Sequence, residues 1–425
     1  MPIFAAAGRP LVVLALLVAT FVPLRPALAQ EDRPFTAADI EAAQYDGRDL
    51  PSGRSALTAK VQILLDRSGT SPGVIDGFKG AMSQSAIMAF ERRAGLPMDG
   101  LMDPHVWNLL QAWATRPVTQ TYTITEEDAQ GLVDHIPTDY AEKAQMSSLG
   151  YTSIAEKLAE RFHMDEKFIQ FLNPGVALVP GNTIQVMAPN PPIRGEVTRI
   201  IIDKENRRVA GYNARGDMVV DYPATIGSSA TPSPAGTHSV RTVAINPNYT
   251  YNPEVNFQQG DNDRKLVIPP GPNGPVGTVW IGLTKPTYGI HGTPTPSQLF
   301  RNQSMGCVRL TNWDAEELAG MVRIGATSVE FLASGVTIAD ATGTAPAEPA
   351  PAPQIALPDT ADVPAAEAPM TETPLALPEA ASSASGLIED TTEPEDLSSE
   401  ADALGDALSG ALPDGFVVPL PADAQ

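Results

Sequence analysis

At about Ser334 the chain stops being a sequence that can fold. Residues 340–425 contain no Lys or Arg, and seventeen acidic side chains are set among Ala, Pro and Ser. A segment of that composition cannot bury enough apolar area to offset the entropy of ordering it. Residues 335–425 are therefore expected to form a disordered, acidic, Ala/Pro-rich tail, and any core must be built from what precedes it. The break also relocates the charge. Of the formal −22, the tail carries seventeen negative charges, which leaves about −5 for everything before it. No clustered Lys and Arg face is left to hold a phosphate backbone, so nucleic acid is excluded as a partner. Two weakly apolar stretches, residues 404–412 and 416–420, leave room for the tail to dock on an envelope protein.

The other end reads as an export signal over residues 1–29. Arg9 supplies the positive start, residues 11–24 an apolar run, and Ala27-Leu28-Ala29 a small-residue cleavage site. A run of about fourteen apolar residues is short for a bilayer span of roughly twenty, though an uncleaved anchor is the competing reading. No cysteine follows the run, so no lipid can be attached there. The mature protein is expected in the periplasm or cell envelope, with residues 30–53 as a flexible linker. The chain has one cysteine, Cys307, where exported proteins commonly use pairs.

Between these ends three organisations follow one another. In residues 54–114, Leu57, Val61, Leu64 and Leu65 form one helical stripe and Ala86, Ile87 and Phe90 another. Asp103 and Pro104 open a third helix carrying Val106, Leu109, Leu110 and Trp113. With the turns Asp76-Gly77 and Asp99-Gly100, this segment resembles the peptidoglycan-binding domain 1 family. In residues 120–189, strand-like YTIT precedes a polar insertion over residues 126–150. Then come a helix opened by a Ser153/Glu156 capping box, a second helix ending at Asn173-Pro174-Gly175, and the alternating GNTIQVM. That order resembles a degenerate LysM module, which implies glycan contact. In residues 196–332, short β-rich segments separated by polar turns predict an antiparallel sandwich or barrel, with a long loop over residues 246–277. One helix is expected there, capped by Thr311, with Leu318, Met321 and Val322 buried and Gly325 as its stop. The expected fold class is thus multidomain: a small three-helix bundle, an α+β LysM-like module and a mainly-β domain.

Chemistry concentrates in residues 288–310, YGIHGTPTPSQLFRNQSMGCVRL, where His291 stands sixteen positions before Cys307. The pair reads either as a nucleophile and its base or as a core thiol near an imidazole. A thiolate attacks where a thiol does not, and a neighbouring His or cation favours it. Gly306 permits close approach of a carbonyl, and Arg309 shares a face with Cys307 if CVRL is extended. The N–H groups of Gly306 and Cys307 are candidates for an oxyanion hole. The other histidines (105, 135, 163 and 238) show no metal-ligand spacing, and neither a metal nor a cofactor is expected.

YGIHGT followed by SMGCVRL, with TPSPAGTHSV upstream, resembles the L,D-transpeptidase (YkuD-type) catalytic domain. The resemblance implies Cys307 as nucleophile and His291 as general base, with the Gly292 carbonyl orienting the imidazole. It also implies that Ser304, Gly306 and Arg309 shape the substrate site and that Tyr288 lines it. Met305 departs from the family pattern, which often has a second His there. The implied activity is attack on a peptidoglycan stem peptide, release of a terminal D-amino acid and transfer of the acyl group to an amine. It implies covalent inhibition by carbapenems. Water as acceptor would make the protein an L,D-carboxypeptidase, and a non-catalytic peptidoglycan-binding scaffold is the other alternative.

Overall fold

The computed structural model describes residues 34–227, 232–254, 258–301, 304 and 306–344. The expected leader, Met305 and the tail beyond residue 344 lie outside the described residues. Helices α1 (Ala37–Ala42), α2 (Ala56–Arg67), α3 (Ala81–Ala94) and α4 (Pro104–Leu110) come first, then β1 (Thr119–Thr123). Three short helices follow, α5 (Tyr140–Lys143), α6 (Ile154–Arg161) and α7 (Glu166–Leu172), and then β2 (Thr183–Met187), antiparallel to β1. Strands β3 (Arg199–Asp203), β4 (Arg208–Tyr212), β5 (Met218–Pro223) and β6 (Gly236–Ile245) begin the β region. It continues through β7 (Tyr249–Tyr251), β8 (Leu266–Ile268), β9 (Val279–Leu283), β10 (Gly289–His291) and β11 (Val308–Arg309). Helices α8 (Asn312–Ala319) and α9 (Ile338–Thr342) flank β12 (Ser328–Phe331).

Several boundaries differ from expectation, each for a packing reason. Residues 30–53 are not a linker throughout: Thr36 and Asp39 form a capping box on α1, and Ile40 and Leu50 are buried. The same cluster joins Leu64 and Phe90 to Leu158, Phe168 and Val186, so residues 54–114 and 120–189 share one core. Leu109, placed in a buried stripe by periodicity, is 43% exposed because α4 lasts under two turns. Glu156 does not complete a capping box with Ser153; its carboxylate takes the Thr152 N–H instead. Residues 246–277 contain the β7–β8 hairpin rather than loop alone. Helix α8 ends at Ala319, ahead of Gly325. The tail boundary also moves, since Thr337 and Asp340 cap α9 and Ile338 is buried beside Ile201 and Tyr212.

The β region is one eight-stranded sheet in the order β11-β10-β9-β6-β12-β3-β4-β5. It is mainly antiparallel, with β10–β11 and β12–β3 parallel. It curls until its ends meet. Just past β5, Thr225 exchanges two backbone hydrogen bonds of 3.0 Å with Arg309 of β11. An edge strand is an exposed template for aggregation, and this closure plus a cover from the helical half blunts the far edge. The cover is the loop after α2: Asp221 N–H donates to the Gly69 carbonyl and Ser71 N–H to the Asp221 carbonyl, both at 2.8 Å. One face of the sheet carries an apolar core of Ile200, Val209, Ile281, Ile290, Val308 and Leu318. The opposite cluster holds Trp280, Cys307 and the hairpin tyrosines, and residues 126–150 send Tyr140 and Leu149 into it.

The helical half meets the β region across a seam of carboxyl groups. The His163 ring lies 2.8 Å from Asp66 through Nδ1 and stacks on Trp313 at 5.2 Å. Beside it, Asp314 accepts from the Ser71 hydroxyl at 2.9 Å and Glu317 from the Tyr222 hydroxyl at 2.8 Å. Burial pushes Asp314 up to about 7 and Glu160 up to about 8, and it raises Glu317 as well. His163 is raised too: burial opposes its charge, and the neighbouring Asp66 outweighs burial. Groups with raised folded-state values stabilise fully below their unfolded values and lose that contribution as pH rises through the folded ones. The thermal midpoint is therefore expected to fall between about pH 4, the unfolded carboxyl value, and about pH 8, the highest folded one. Asp314→Asn should flatten the fall, by an amount on the order of 4 kcal/mol at most. Midpoints at four pH values test this, and a wild-type curve flat or rising over that range would contradict it.

Candidate active site

Strand β10 lies between β9 and β11, which fixes the faces of every residue on it. Ile290 stands opposite Ile281 and Val308, and all three point into the main core. Alternation along a strand then puts His291 on the other face, level with Trp280 on β9 and Arg309 on β11. Cys307, two residues before Arg309, belongs to the cluster on that same face. The sheet thus brings thiol, imidazole and guanidinium to one side, all at most 3% exposed.

The imidazole is held by packing and by one hydrogen bond. Its ring stacks on Trp280 with centroids 5.6 Å apart. The indole fits there because its neighbours lack side chains: a Cβ at Gly282 would lie 2.8 Å from Trp280 Nε1, and one at Gly289 2.6 Å from Cζ2. His291 Nδ1 lies 2.7 Å from the Gly292 carbonyl. A carbonyl only accepts, so Nδ1 carries the hydrogen and Nε2 keeps its lone pair. Nε2 is buried with no hydrogen-bond partner among the described residues. Burial, reinforced by the positive charge of Arg309, lowers the imidazole to about 3 against the pull of the Gly292 carbonyl. The ring is accordingly a neutral base throughout the physiological range.

The thiol sits in a frame of carbonyls and small residues. Cys307 Sγ donates to the Thr287 carbonyl at 3.6 Å. Thr287 has φ +77°, a costly conformation for a β-branched residue, and it aims that carbonyl at the thiol. Gly306 has φ +120° and would place a Cβ 2.8 Å from the Tyr288 ring, so Tyr288 packs directly on the cysteine loop. The Ser304 hydroxyl donates to the Cys307 carbonyl and accepts the Gly306 N–H at 3.2 Å. The Gly306 N–H, expected as an oxyanion donor, is therefore engaged, and only displacement of the Ser304 hydroxyl would release it.

Sequence reasoning did not single out Trp280, Thr287 or Ser233. Ser233 donates to the Gly306 carbonyl at 2.8 Å and accepts the Gly227 N–H at 3.0 Å, which ties Ser233 to the backbone just before Cys307. Trp280 had one available signal, a bulky ring between β-branched residues in a short apolar run. Thr287 had none. Among the described residues no group of three or more His, Cys, Asp or Glu could hold a metal ion. Also among the described residues, no helix is long and apolar enough to cross a membrane.

Known proteins resemble this chain over two stretches. Residues 197–331 match the family described as "L,D-transpeptidase catalytic domain", and residues 54–110 match "Putative peptidoglycan binding domain". The chain is 31% identical over 176 residues to "Putative L,D-transpeptidase YkuD" of Bacillus licheniformis, covering 40% of this chain and 88% of that protein. It is 28% identical over 195 residues to "Probable L,D-transpeptidase YbiS" of Escherichia coli, covering 43% of this chain and 61% of that protein. Among solved structures, an L,D-transpeptidase from Xylanimonas cellulosilytica aligns at 14% identity and a TM-score of 0.32, over 68% of this chain and all of that one. The Enterococcus faecium L,D-transpeptidase C442S mutant aligns at 22% identity and a TM-score of 0.25, over 32% of this chain and 50% of that one. With a relative matched along most of its length and both motifs within the matched domain, the chain belongs to the YkuD-type L,D-transpeptidase family of enzymes.

Proposed function

We propose that the protein is a peptidoglycan L,D-transpeptidase of the cell envelope that works through a thioester on Cys307. The observation that carries this reading is the buried imidazole with Nδ1 satisfied and Nε2 vacant, on the sheet face that holds the thiol. Nε2 of His291 takes the Cys307 proton as sulfur attacks the stem-peptide carbonyl that precedes a terminal D-amino acid. Negative charge develops on that oxygen, next to the Cys307 N–H and the Arg309 charge. The same imidazole returns the proton to the leaving amine, and the D-amino acid departs. An incoming amine then gives its proton to Nε2 and attacks the thioester, which regenerates the thiol and completes a ping-pong cycle. Tyr288, Ser304 and Gly306 form the rim against which the acyl donor lies.

The matched peptidoglycan-binding segment would hold the enzyme on an insoluble polymer and raise the local substrate concentration. An exported location follows from that substrate, and a carbapenem would acylate the same thiol. Incubating the purified full chain with tetrapeptide muropeptides should release the terminal D-amino acid and give cross-linked dimers by mass spectrometry. Cys307→Ser should abolish both the dimers and the mass increment produced by a carbapenem. Tripeptides without dimers would make the protein a carboxypeptidase. No covalent adduct on the wild type would defeat the enzymatic reading.

A further inference from the structure

The Gly292 carbonyl is the partner that fixes which nitrogen of His291 is the base, so whatever fixes Gly292 takes part in that choice. Asn312, at the start of α8 and 1% exposed, is wedged against it. A Cβ added at Gly292 would lie 2.1 Å from Asn312 Oδ1, and one added at Gly277 would lie 2.0 Å from the same atom. Both positions admit only glycine because the amide oxygen sits directly on the two backbones. That oxygen also accepts the Thr278 N–H at 3.3 Å. The amide nitrogen faces the other way. It donates to Glu160 at 2.8 and 3.0 Å to its two carboxyl oxygens, and to the Pro272 carbonyl at 3.2 Å. Glu160 belongs to α6 of the helical half, and the Tyr151 hydroxyl holds it at 3.2 Å.

We propose that Asn312 and Glu160 are positioning residues for the catalytic imidazole, so that helix α6 of the N-terminal half is a working part of the active site. This rests on the reading of His291 as the base. The helical half is then more than a tether. It supplies the anchor that keeps Asn312 turned with its oxygen toward Gly292 and its nitrogen away. Without that anchor the amide turns and the Gly292 peptide loosens. Nδ1–H then loses its acceptor, and the tautomer with hydrogen on Nε2 competes. A displacement of about 1 Å in such a contact can cost about a hundredfold in rate.

The test uses the full chain and follows acylation of Cys307 by meropenem through intact mass, over a range of concentrations. At pH 9, above the value of about 8 to which burial raises Glu160, Asn312→Asp places a carboxylate against the Glu160 carboxylate and the Pro272 carbonyl. It is expected to lower the maximal acylation rate about thirtyfold or more, with the half-saturating concentration changed by less than about threefold. Adding Glu160→Gln to that variant restores a donor–acceptor pair with its polarity reversed, and the rate should return to within about fivefold of wild type. Glu160→Ala alone leaves Asn312 in place and removes its anchor, and should slow acylation about tenfold; it decides the matter should Asn312→Asp fail to accumulate. Two results would overturn the proposal: Asn312→Asp or Glu160→Ala acylating at the wild-type rate, or the double variant recovering its thermal midpoint but not its rate. A wild type that forms no adduct would instead remove the proposed function, and this inference with it.

Discussion

His291→Gln is expected to lower the rate of Cys307 acylation about a thousandfold while leaving the fold intact. The glutamine amide can still donate to the Gly292 carbonyl and fills similar space beside Trp280, so packing is largely kept. What it lacks is a basic lone pair where Nε2 stands. General-base assistance contributes roughly 10²- to 10⁴-fold to such steps, and nothing else among the described residues offers a neutral base on this face. The wild-type enzyme should also show an unusual acid limit. A free histidine loses its base function below about pH 6.5. Burial and the Arg309 charge lower His291 to about 3, so the imidazole stays unprotonated and competent far below that point. Acylation time courses by intact mass from pH 4 to 9 test both statements. A variant within tenfold of wild type would place the base elsewhere, and a wild-type rate that halves near pH 6.5 would contradict the burial argument.

The second large effect concerns the joint between the two halves. Asp221 on β5 is fully buried and pairs with two guanidinium groups at once: Arg208 of β4 at 2.5 Å and Arg92 of α3 in the helical half. Arg208 also donates to the Ser71 carbonyl at 3.1 Å through both terminal nitrogens, and to the Asp221 carbonyl at 3.0 Å. Asp221→Asn leaves two buried cations facing a neutral amide. Removing one partner from a buried ion pair typically costs about 3–5 kcal/mol, because the remaining charge is stranded away from water. We expect a loss of about that size in urea-midpoint measurements, with helical half and β region loosening together, since the network spans both. A loss under about 1 kcal/mol, or a first transition confined to the helical half, would show that the network carries little of the joint.

Local chemistry made much of the site legible. The periodic stripes of residues 54–114, the Asp103 and Thr311 caps and the alternation of the β segments each depend on contacts a few residues apart. The pairing of HGT with SxGCxR was readable because both stretches are short and their residue types are chemically specific. Positioning groups from distant parts of the chain were not legible. Asn312 and Glu160 are 152 positions apart, and Ser233 and Gly306 are 73 apart. Local pattern carries no term for such distances. The linker assigned to residues 30–53 failed for the same reason, because Ile40 and Leu50 are buried only once α2 and β1 are in place.

By itself the order of residues determined the chemical types at the site and the presence of a single sulfur there, Cys307. Tertiary structure alone decided that the imidazole is neutral, since that depends on desolvation and on a guanidinium brought close by strand pairing. It alone decided that the first two modules share one core, and that the Asn312 amide links Glu160 of the helical half to the backbone at Gly292, next to His291. The physical reason is common to all three. Burial and electrostatic coupling are properties of position in space, and a chain acquires them only when distant segments close on one another.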